Sequence, residues 1–253
     1  MISTDLTGKR VLVTGGTSGI GLGCVTLFAR LGASVIANHL PDDAMAISVI
    51  NELISSGLDV RGAPGSVASA EDTNKFVRES IDKLHGLDYL VNNAATPGTR
   101  QPIPPENLEE MTEEFWHLLL NTNLVGTFRC AKVAASALKE SGGAIVNLAS
   151  IAGLGTQGSS IAYAASKAGV VNLTRSLARA LAPSVRVNAV APGQTATPWT
   201  EAWSDERKKT AIEKSFLKRR STPEDIAEVV VFLCSSAAMM TGQTLVVDGG
   251  MTL

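Results

Sequence analysis

Aromatic residues make up only 4% of the 253-residue chain, so its core must be built mainly from Ala, Val, Ile and Leu. Hydrophobic residues reach 45%, enough for a sizeable core, and small aliphatic side chains suit helices packed on a parallel sheet. Long apolar runs are missing. None approaches the roughly 18 residues of a membrane span, so no membrane is expected as a partner. An excess of one charge is missing too: a formal net charge of -2 gives no field to attract nucleic acid or an anionic surface. Cysteine is scarce. Cys24, Cys130 and Cys234 are odd in number, far apart and without a CxxC pair, which points to reduced, buried thiols rather than a disulfide framework. His39, His85 and His117 are scattered without ligand spacing, so no metal is assigned. Met1–Thr7 carries neither a basic nor an apolar signal-type segment, and a cytoplasmic protein is the expectation.

What the chain does have is rhythm. Short β-rich runs stand at Arg10–Thr14, Ser34–Asn38, Asp59–Ala63, Tyr89–Asn92, Ala144–Ala149, Arg186–Val190 and Thr244–Val247. Amphipathic stretches lie between them, among them Gly21–Leu31, Ala44–Ser56, Ala70–Leu84 and Pro223–Cys234. Strand–helix alternation means βαβ units with right-handed crossovers and a parallel sheet covered on both faces. No repeat, low-complexity linker or composition break divides the chain, so residues 1–253 read as one α/β domain. Two stretches leave the rhythm. Pro97–Thr112, rich in Pro and Glu, reads as a surface loop leading into the helix of Asn123; Gln194–Arg220, with Trp199 and Trp203, is long enough for a substrate lid.

The first strand runs into Thr14-Gly15-Gly16-Thr17-Ser18-Gly19-Ile20-Gly21 and then a helix. Glycines allow a tight turn, and the free N–H groups of a helix N-terminus favour a pyrophosphate. Alone the cluster is equally a plain strand–helix turn; its place at the first βα turn favours dinucleotide binding.

Further along, Tyr163 and Lys167 stand four apart in a helical stretch and so share a face. An ammonium about 4 Å from a phenol interacts by roughly 4 kcal/mol at an effective dielectric near 20. That is enough to pull a tyrosine pKa from about 10 toward about 7, suiting it to pass a proton to a carbonyl oxygen or take one from an alcohol. Taken singly, a Tyr–Lys pair is common and inert, Ser150 is a turn or capping serine and Asn123 satisfies a helix carbonyl. Behind a dinucleotide turn, the four together read as a catalytic set.

The TGxxxGxG spacing, Asn92-Asn93-Ala94-Ala95 after the fourth strand, Ser150 after the fifth, Tyr163-Ala-Ala-Ser-Lys167, Pro192-Gly193 after the sixth and Asp248-Gly249-Gly250 together resemble the short-chain dehydrogenase/reductase family. The resemblance spans nearly the whole chain. It implies a Rossmann-type doubly wound sheet of seven parallel strands, helices on both faces, and NAD or NADP across the strand ends. It further implies that Gly15, Thr17, Ser18, Gly19, Ile20 and Gly21 border the pyrophosphate and that His39 stands by the adenosine ribose. Ser66 and Val67 would lie by the adenine, and Asn92 and Ala94 in the adenosine ribose region. Pro192, Gly193, Thr195 and Thr197 would flank the nicotinamide. Tyr163 becomes the proton carrier, Ser150 its partner on the substrate oxygen, and Lys167 the holder of the nicotinamide ribose. Asn123 is implied to support a water-linked proton relay to the lysine.

Some positions depart from the family pattern. Ser66 replaces a common Asp at the adenine, and His39 occupies the place of the acid that NAD-preferring members carry. Thr17 and Ser18 are neutral where NADP-preferring members offer a cation, while Asp42 and Asp43 repel a 2′-phosphate, a slight lean to NAD. Among members, reductases of 3-oxoacyl thioesters, including 3-oxoacyl-acyl-carrier-protein reductases, are the most similar. A carbonyl or alcohol substrate, free or bound to CoA or carrier protein, is therefore expected. A sugar, polyol or other secondary alcohol is the alternative, and a non-catalytic dinucleotide sensor or scaffold a third reading that the intact Ser150, Tyr163 and Lys167 disfavour.

The segment Arg207–Arg220 holds seven basic residues against Glu213. It reads either as a solvated helix or as a basic lid for an acidic substrate. Against carrier-protein docking, Ser141 and Ser184 stand near turns where carrier-using members place basic residues. The family also implies a homotetramer through the helices around Glu113–Leu138 and Ala162–Leu181.

Overall fold

Alternate residues of the first strand, β1 (Arg10–Val13), point to opposite sides: Val11 and Val13 into one apolar cluster, Leu12 into another. A computed structural model describes residues 5–253; of the N-terminal segment read above, Met1–Thr4 lie outside the described residues. β1 is joined by β2 (Ser34–His39), β3 (Val60–Pro64), β4 (Tyr89–Asn92), β5 (Ala144–Leu148), β6 (Arg186–Pro192) and β7 (Thr244–Val247) in one sheet. The strand order is β3-β2-β1-β4-β5-β6-β7, and every pairing is parallel. This is the doubly wound sheet expected of the sequence.

The helices are α1 (Gly19–Arg30), α2 (Ala44–Ser55), α3 (Ala70–Leu84), α4 (Glu113–Leu119), α5 (Gly126–Ser141), α6 (Ile161–Leu181), α7 (Pro198–Glu201), α8 (Asp205–Lys214) and α9 (Pro223–Ser235). On one face, Cys24, Val25 and Phe28 of α1 and Val230, Val231 and Leu233 of α9 pack on Val11, Val13 and Val35. On the other, Phe76 and Val77 of α3, Leu138 of α5 and Leu177 of α6 cover Leu12, Ile36, Leu90 and Ile145. Fully burying one such aliphatic or aromatic side chain stabilises the fold by about 1.5–3 kcal/mol, so two such layers hold the strand ends in register.

Three differences from the sequence reading concern the site. α1 begins at Gly19 rather than Gly21, so Gly19 and Ile20 belong to its first turn. The long stretch Gln194–Arg220 is built from α7 and α8 rather than open loop. Asn123 lies in a π-helical turn, Leu120–Val125, inserted between α4 and α5. Such wide turns are often found at functional sites.

The strand order reverses between β1 and β4. Ligands of open α/β sheets sit at that switch point, beyond the carboxyl ends of the strands.

Candidate active site

The turn after β1 is tied from both sides. From β2, Asn38 accepts the Gly15 N–H at 3.3 Å through its side chain, and its backbone carbonyl accepts the Gly16 N–H at 2.9 Å. Just past β4, Asn93 donates its amide to the carbonyls of Thr14 and Gly15 at 3.0 and 2.9 Å. Gly15 and Gly19 hold positive φ of 60° and 49°, where a side chain would be strained. Gly21 is excluded from the cleft wall: a Cβ there would lie 2.0 Å from the Gly15 carbonyl oxygen, so this glycine lets α1 close onto the turn.

A cleft of about 1070 Å³ runs from this turn across the strand ends to α6. Gly15, Thr17, Ser18, Gly19, Ile20, His39, Ser66, Val67, Ala94, Pro192, Gly193, Thr195 and Thr197 line it, with Ser150, Tyr163 and Lys167. Asn92 does not; its amide pairs with Asn147 inside the sheet at 2.9 Å. Its neighbour Asn93 faces the cleft instead, a carboxamide one residue beyond the strand end.

The dinucleotide fit rests on the helix ends. Ser69, Asp43, Ser160, Ser204 and Thr222 each accept a backbone N–H of the helix they begin. Ser18 makes no such bond, so the first turn of α1 keeps its N–H groups open at the cleft. Free N–H groups and the positive end of the helix dipole suit a pyrophosphate. At the β2 end of the cleft, His39 bonds the Leu40 carbonyl at 2.8 Å through Nδ1, and the Asp43 carboxylate caps α2 from the cleft edge.

At the other end, Ser160 caps α6 by accepting the Tyr163 N–H at 3.0 Å, which fixes the phenol in the first helical turn. Lys167, one turn on, is buried and donates to the Leu148 carbonyl at 2.7 Å. Its ammonium lies 5.8 Å from the Tyr163 ring centre. Burial pushes the Tyr163 phenol up to about 12, with Ser150 pulling the other way through a hydrogen bond. Burial also brings the Lys167 ammonium down to about 8. This is the reverse of the lowered phenol that the Tyr163–Lys167 spacing predicts: desolvation dominates, and the lysine ammonium is directed at a backbone carbonyl.

Asn123 is buried and fully engaged away from the cleft. It accepts the Thr96 N–H at 2.8 Å and donates to the Thr96 carbonyl at 3.0 Å and to Ser166 Oγ at 3.1 Å. Ser166 in turn donates to the Tyr163 carbonyl at 2.7 Å, so Asn123 reaches Tyr163 through one hydroxyl.

Asn93 has no role in the sequence pattern, and Gln194, Trp199 and Arg207 stand there only as members of the Gln194–Arg220 lid stretch, Arg207 also as part of its basic run. Trp199 stands edge-on to Tyr163, ring centres 5.7 Å apart and planes at 84°. Arg207 lies over the Trp203 ring at 4.6 Å. The tryptophans and the basic run of that insertion are the signals the sequence offers for them.

A phenol, an ammonium and a hydroxyl thus converge at one end of the cleft that begins at the glycine turn. A family profile described as "Enoyl-(Acyl carrier protein) reductase" matches residues 15–252. A 3-oxoacyl-[acyl-carrier-protein] reductase of Synechocystis sp. is 37% identical over 99% of each chain, and one of Chlamydia pneumoniae 40% identical over 98% of each. A solved dehydrogenase/reductase from Sinorhizobium meliloti 1021 superposes with a TM-score of 0.89 at 30% identity, covering 98% of this chain and 97% of that one. The chain belongs to the short-chain dehydrogenase/reductase family, and it is a nicotinamide-dinucleotide-dependent oxidoreductase of C=O and CH–OH groups.

Proposed function

We propose that the chain interconverts a 3-oxoacyl thioester and the corresponding 3-hydroxyacyl compound, with Tyr163 as proton carrier. The convergence of Ser150, Tyr163 and Lys167 at the end of a cleft that begins at the glycine turn carries this reading. The relatives named 3-oxoacyl-[acyl-carrier-protein] reductase support the thioester. CoA or a carrier protein is the proposed thiol partner.

When bound, a reduced nicotinamide supplies the hydride to the carbonyl carbon. Tyr163 gives its phenolic proton to the carbonyl oxygen, so the ketone becomes a secondary alcohol and Tyr163 a phenolate. A phenol pushed up to about 12 is fully protonated at rest, the state this direction needs. Ser150 donates a hydrogen bond to the same oxygen. The Lys167 ammonium and the N-terminal turn of α6 stabilise the phenolate until it is reprotonated. Asn123 acts as a positioning residue, holding the first turn of α6 through Ser166.

For the dinucleotide, the proposed seats are Gly15, Thr17, Ser18, Gly19 and Ile20 for the pyrophosphate, Ser66 and Val67 for the adenine, and Pro192, Gly193, Thr195 and Thr197 for the nicotinamide. NAD is the proposed preference. Asp43 borders the proposed adenosine end, and among the described residues no lysine or arginine lines that part of the cleft. Assembly through α5 and α6 is supported by the exposed Phe128 and Ile161.

The test is turnover of acetoacetyl-CoA with NADH and NADPH in parallel, with Tyr163→Phe as control. Oxidation of NADH that falls about 10²- to 10⁴-fold in the variant, while the dinucleotide still binds, is the expected result. Absence of turnover with either dinucleotide would remove the short-chain acyl-CoA reading.

A further inference from the structure

The basic residues of Arg207–Arg220 are unequal once their partners are drawn. Lys208 pairs with Asp205 at 3.1 Å and Glu201 at 3.8 Å, and Lys209 with Glu213 at 3.8 Å. Arg219 pairs with Asp225, and Arg220 with Glu201 at 2.5 Å. Lys214, Lys218 and Arg207 have no carboxylate of the described residues within 4 Å, but Lys214 and Lys218 are exposed, whereas Arg207 is half-buried in the cleft wall; neighbouring Glu206 sits exposed at the cleft rim.

The position of Arg207 is fixed. Its guanidinium lies over Trp203 at 4.6 Å and donates to the Gly158 carbonyl at 3.3 Å. Gly158 is wedged against the catalytic phenol: a Cβ on it would lie 3.1 Å from Tyr163 Cδ1. One residue thus separates the unpaired cation from the proton carrier. A second observation points the same way. In the same cleft the Trp199 indole N–H, both ends of the Gln194 amide and the Ser159 hydroxyl are buried without a hydrogen-bond partner. Buried donors and acceptors are costly to leave unpaired, so a polar occupant is expected in the cleft that Arg207 lines.

We propose that Arg207 anchors an anionic group of the substrate close to the reacting carbonyl, with Trp199 and Gln194 completing its polar surroundings. The proposal rests on the reading of Tyr163 as proton carrier and narrows what the substrate must bear. A carboxylate fits best, because the anchor is one residue from Tyr163 and a planar guanidinium matches a planar carboxylate. The phosphate of a CoA or pantetheine thioester is the other source of the same charge.

Three substrates separate these sources: acetoacetate, acetoacetyl-CoA and the neutral N-acetylcysteamine thioester of acetoacetate, each with wild type, Arg207→Gln and Arg207→Lys. Anchoring by Arg207 predicts that Arg207→Gln lowers the ratio of kcat/KM for acetoacetate to that for the neutral thioester by about 10- to 100-fold, mainly through KM, with partial rescue in Arg207→Lys. A fall confined to the acetoacetyl-CoA ratio assigns the phosphate as the anchored anion. Equal losses on all three substrates, or none, overturn the proposal.

Binding gives a readout free of turnover. Tryptophan fluorescence of the NADH-loaded protein is titrated with 3-hydroxybutyrate, its methyl ester and CoA. Tighter binding of either anion than of the ester, lost in Arg207→Gln, upholds the proposal even if acetoacetyl-CoA is not turned over and the thioester reading falls. Equal binding of all three overturns it even if thioester turnover is found.

Discussion

Lys167 donates its ammonium to the carbonyl of Leu148, at the end of β5, and so faces the sheet as much as the phenol of Tyr163. Its cation is held in a nearly dry site, which explains why its pKa falls from an ordinary 10.5 to about 8. A base with a depressed folded-state pKa binds its proton more weakly in the native protein than in the unfolded chain. Below about pH 8 both states carry the proton, and the native state bears the full cost of the buried charge. Between about 8 and 10.5 the unfolded chain holds more protons, so this contribution to stability rises with pH.

Replacing Lys167 with Met therefore has a signed consequence. The variant is expected to lose catalysis and yet gain stability at pH 7, by up to a few kcal/mol less the lost Leu148 bond. Its advantage shrinks as pH rises from about 8 to 10.5. Urea unfolding of both proteins across that window measures the difference and cancels the titration of every other group. A constant difference would mean that the lysine is not depressed.

The bracing of the glycine turn gives a second expectation. Asn93 satisfies the carbonyls of Thr14 and Gly15, and its own N–H and that of Ala94 both reach Thr14 Oγ1 at 3.0 Å. Asn93→Ala should cost about 1–3 kcal/mol of stability by stranding carbonyl groups. It should also weaken dinucleotide binding by about tenfold or more, because misplacing a preorganised phosphate turn removes binding energy. Asn92→Ala, which breaks the buried pair with Asn147, should lower stability with little effect on that affinity. Isothermal titration with NADH beside thermal melts separates the two residues; equal affinity losses would contradict the division.

That division was beyond the sequence. Strand runs such as Tyr89–Asn92 and Arg186–Val190 were legible because strands buried on both faces need near-continuous apolar residues. Tyr163 and Lys167 were legible because helical spacing puts i and i+4 on one face. Asn92 and Asn93 differ only in whether the side chain falls inside the last strand pairing or beyond it, which a one-residue shift decides. Burial of the Tyr163 phenol depends on Trp199, thirty-six positions away, and on the packing of α7, so local spacing misjudged the direction of its pKa. Arg207 is set apart only by tertiary structure: carboxylates engage Lys208, Lys209, Arg219 and Arg220, Lys214 and Lys218 are exposed, and Arg207 is held half-buried over Trp203.

The three thiols offer a last expectation. Cys24 and Cys234 lie under α1 and α9 in one core layer and Cys130 under α5 in the other, each at most 1% exposed. Burial pushes Cys24 and Cys130 up to about 12, and Cys234 also upward. The reactive form of cysteine is the thiolate, so these groups are shielded both by access and by ionisation. An aromatic disulfide reagent at pH 8 should label none of them in the native protein within minutes, and all three once urea unfolds it. Because labelling then requires opening of the core, its rate should fall when NADH is bound, in step with the gain in stability. Rapid labelling of the native protein, unaffected by NADH, would mean that one core layer opens independently of the dinucleotide cleft.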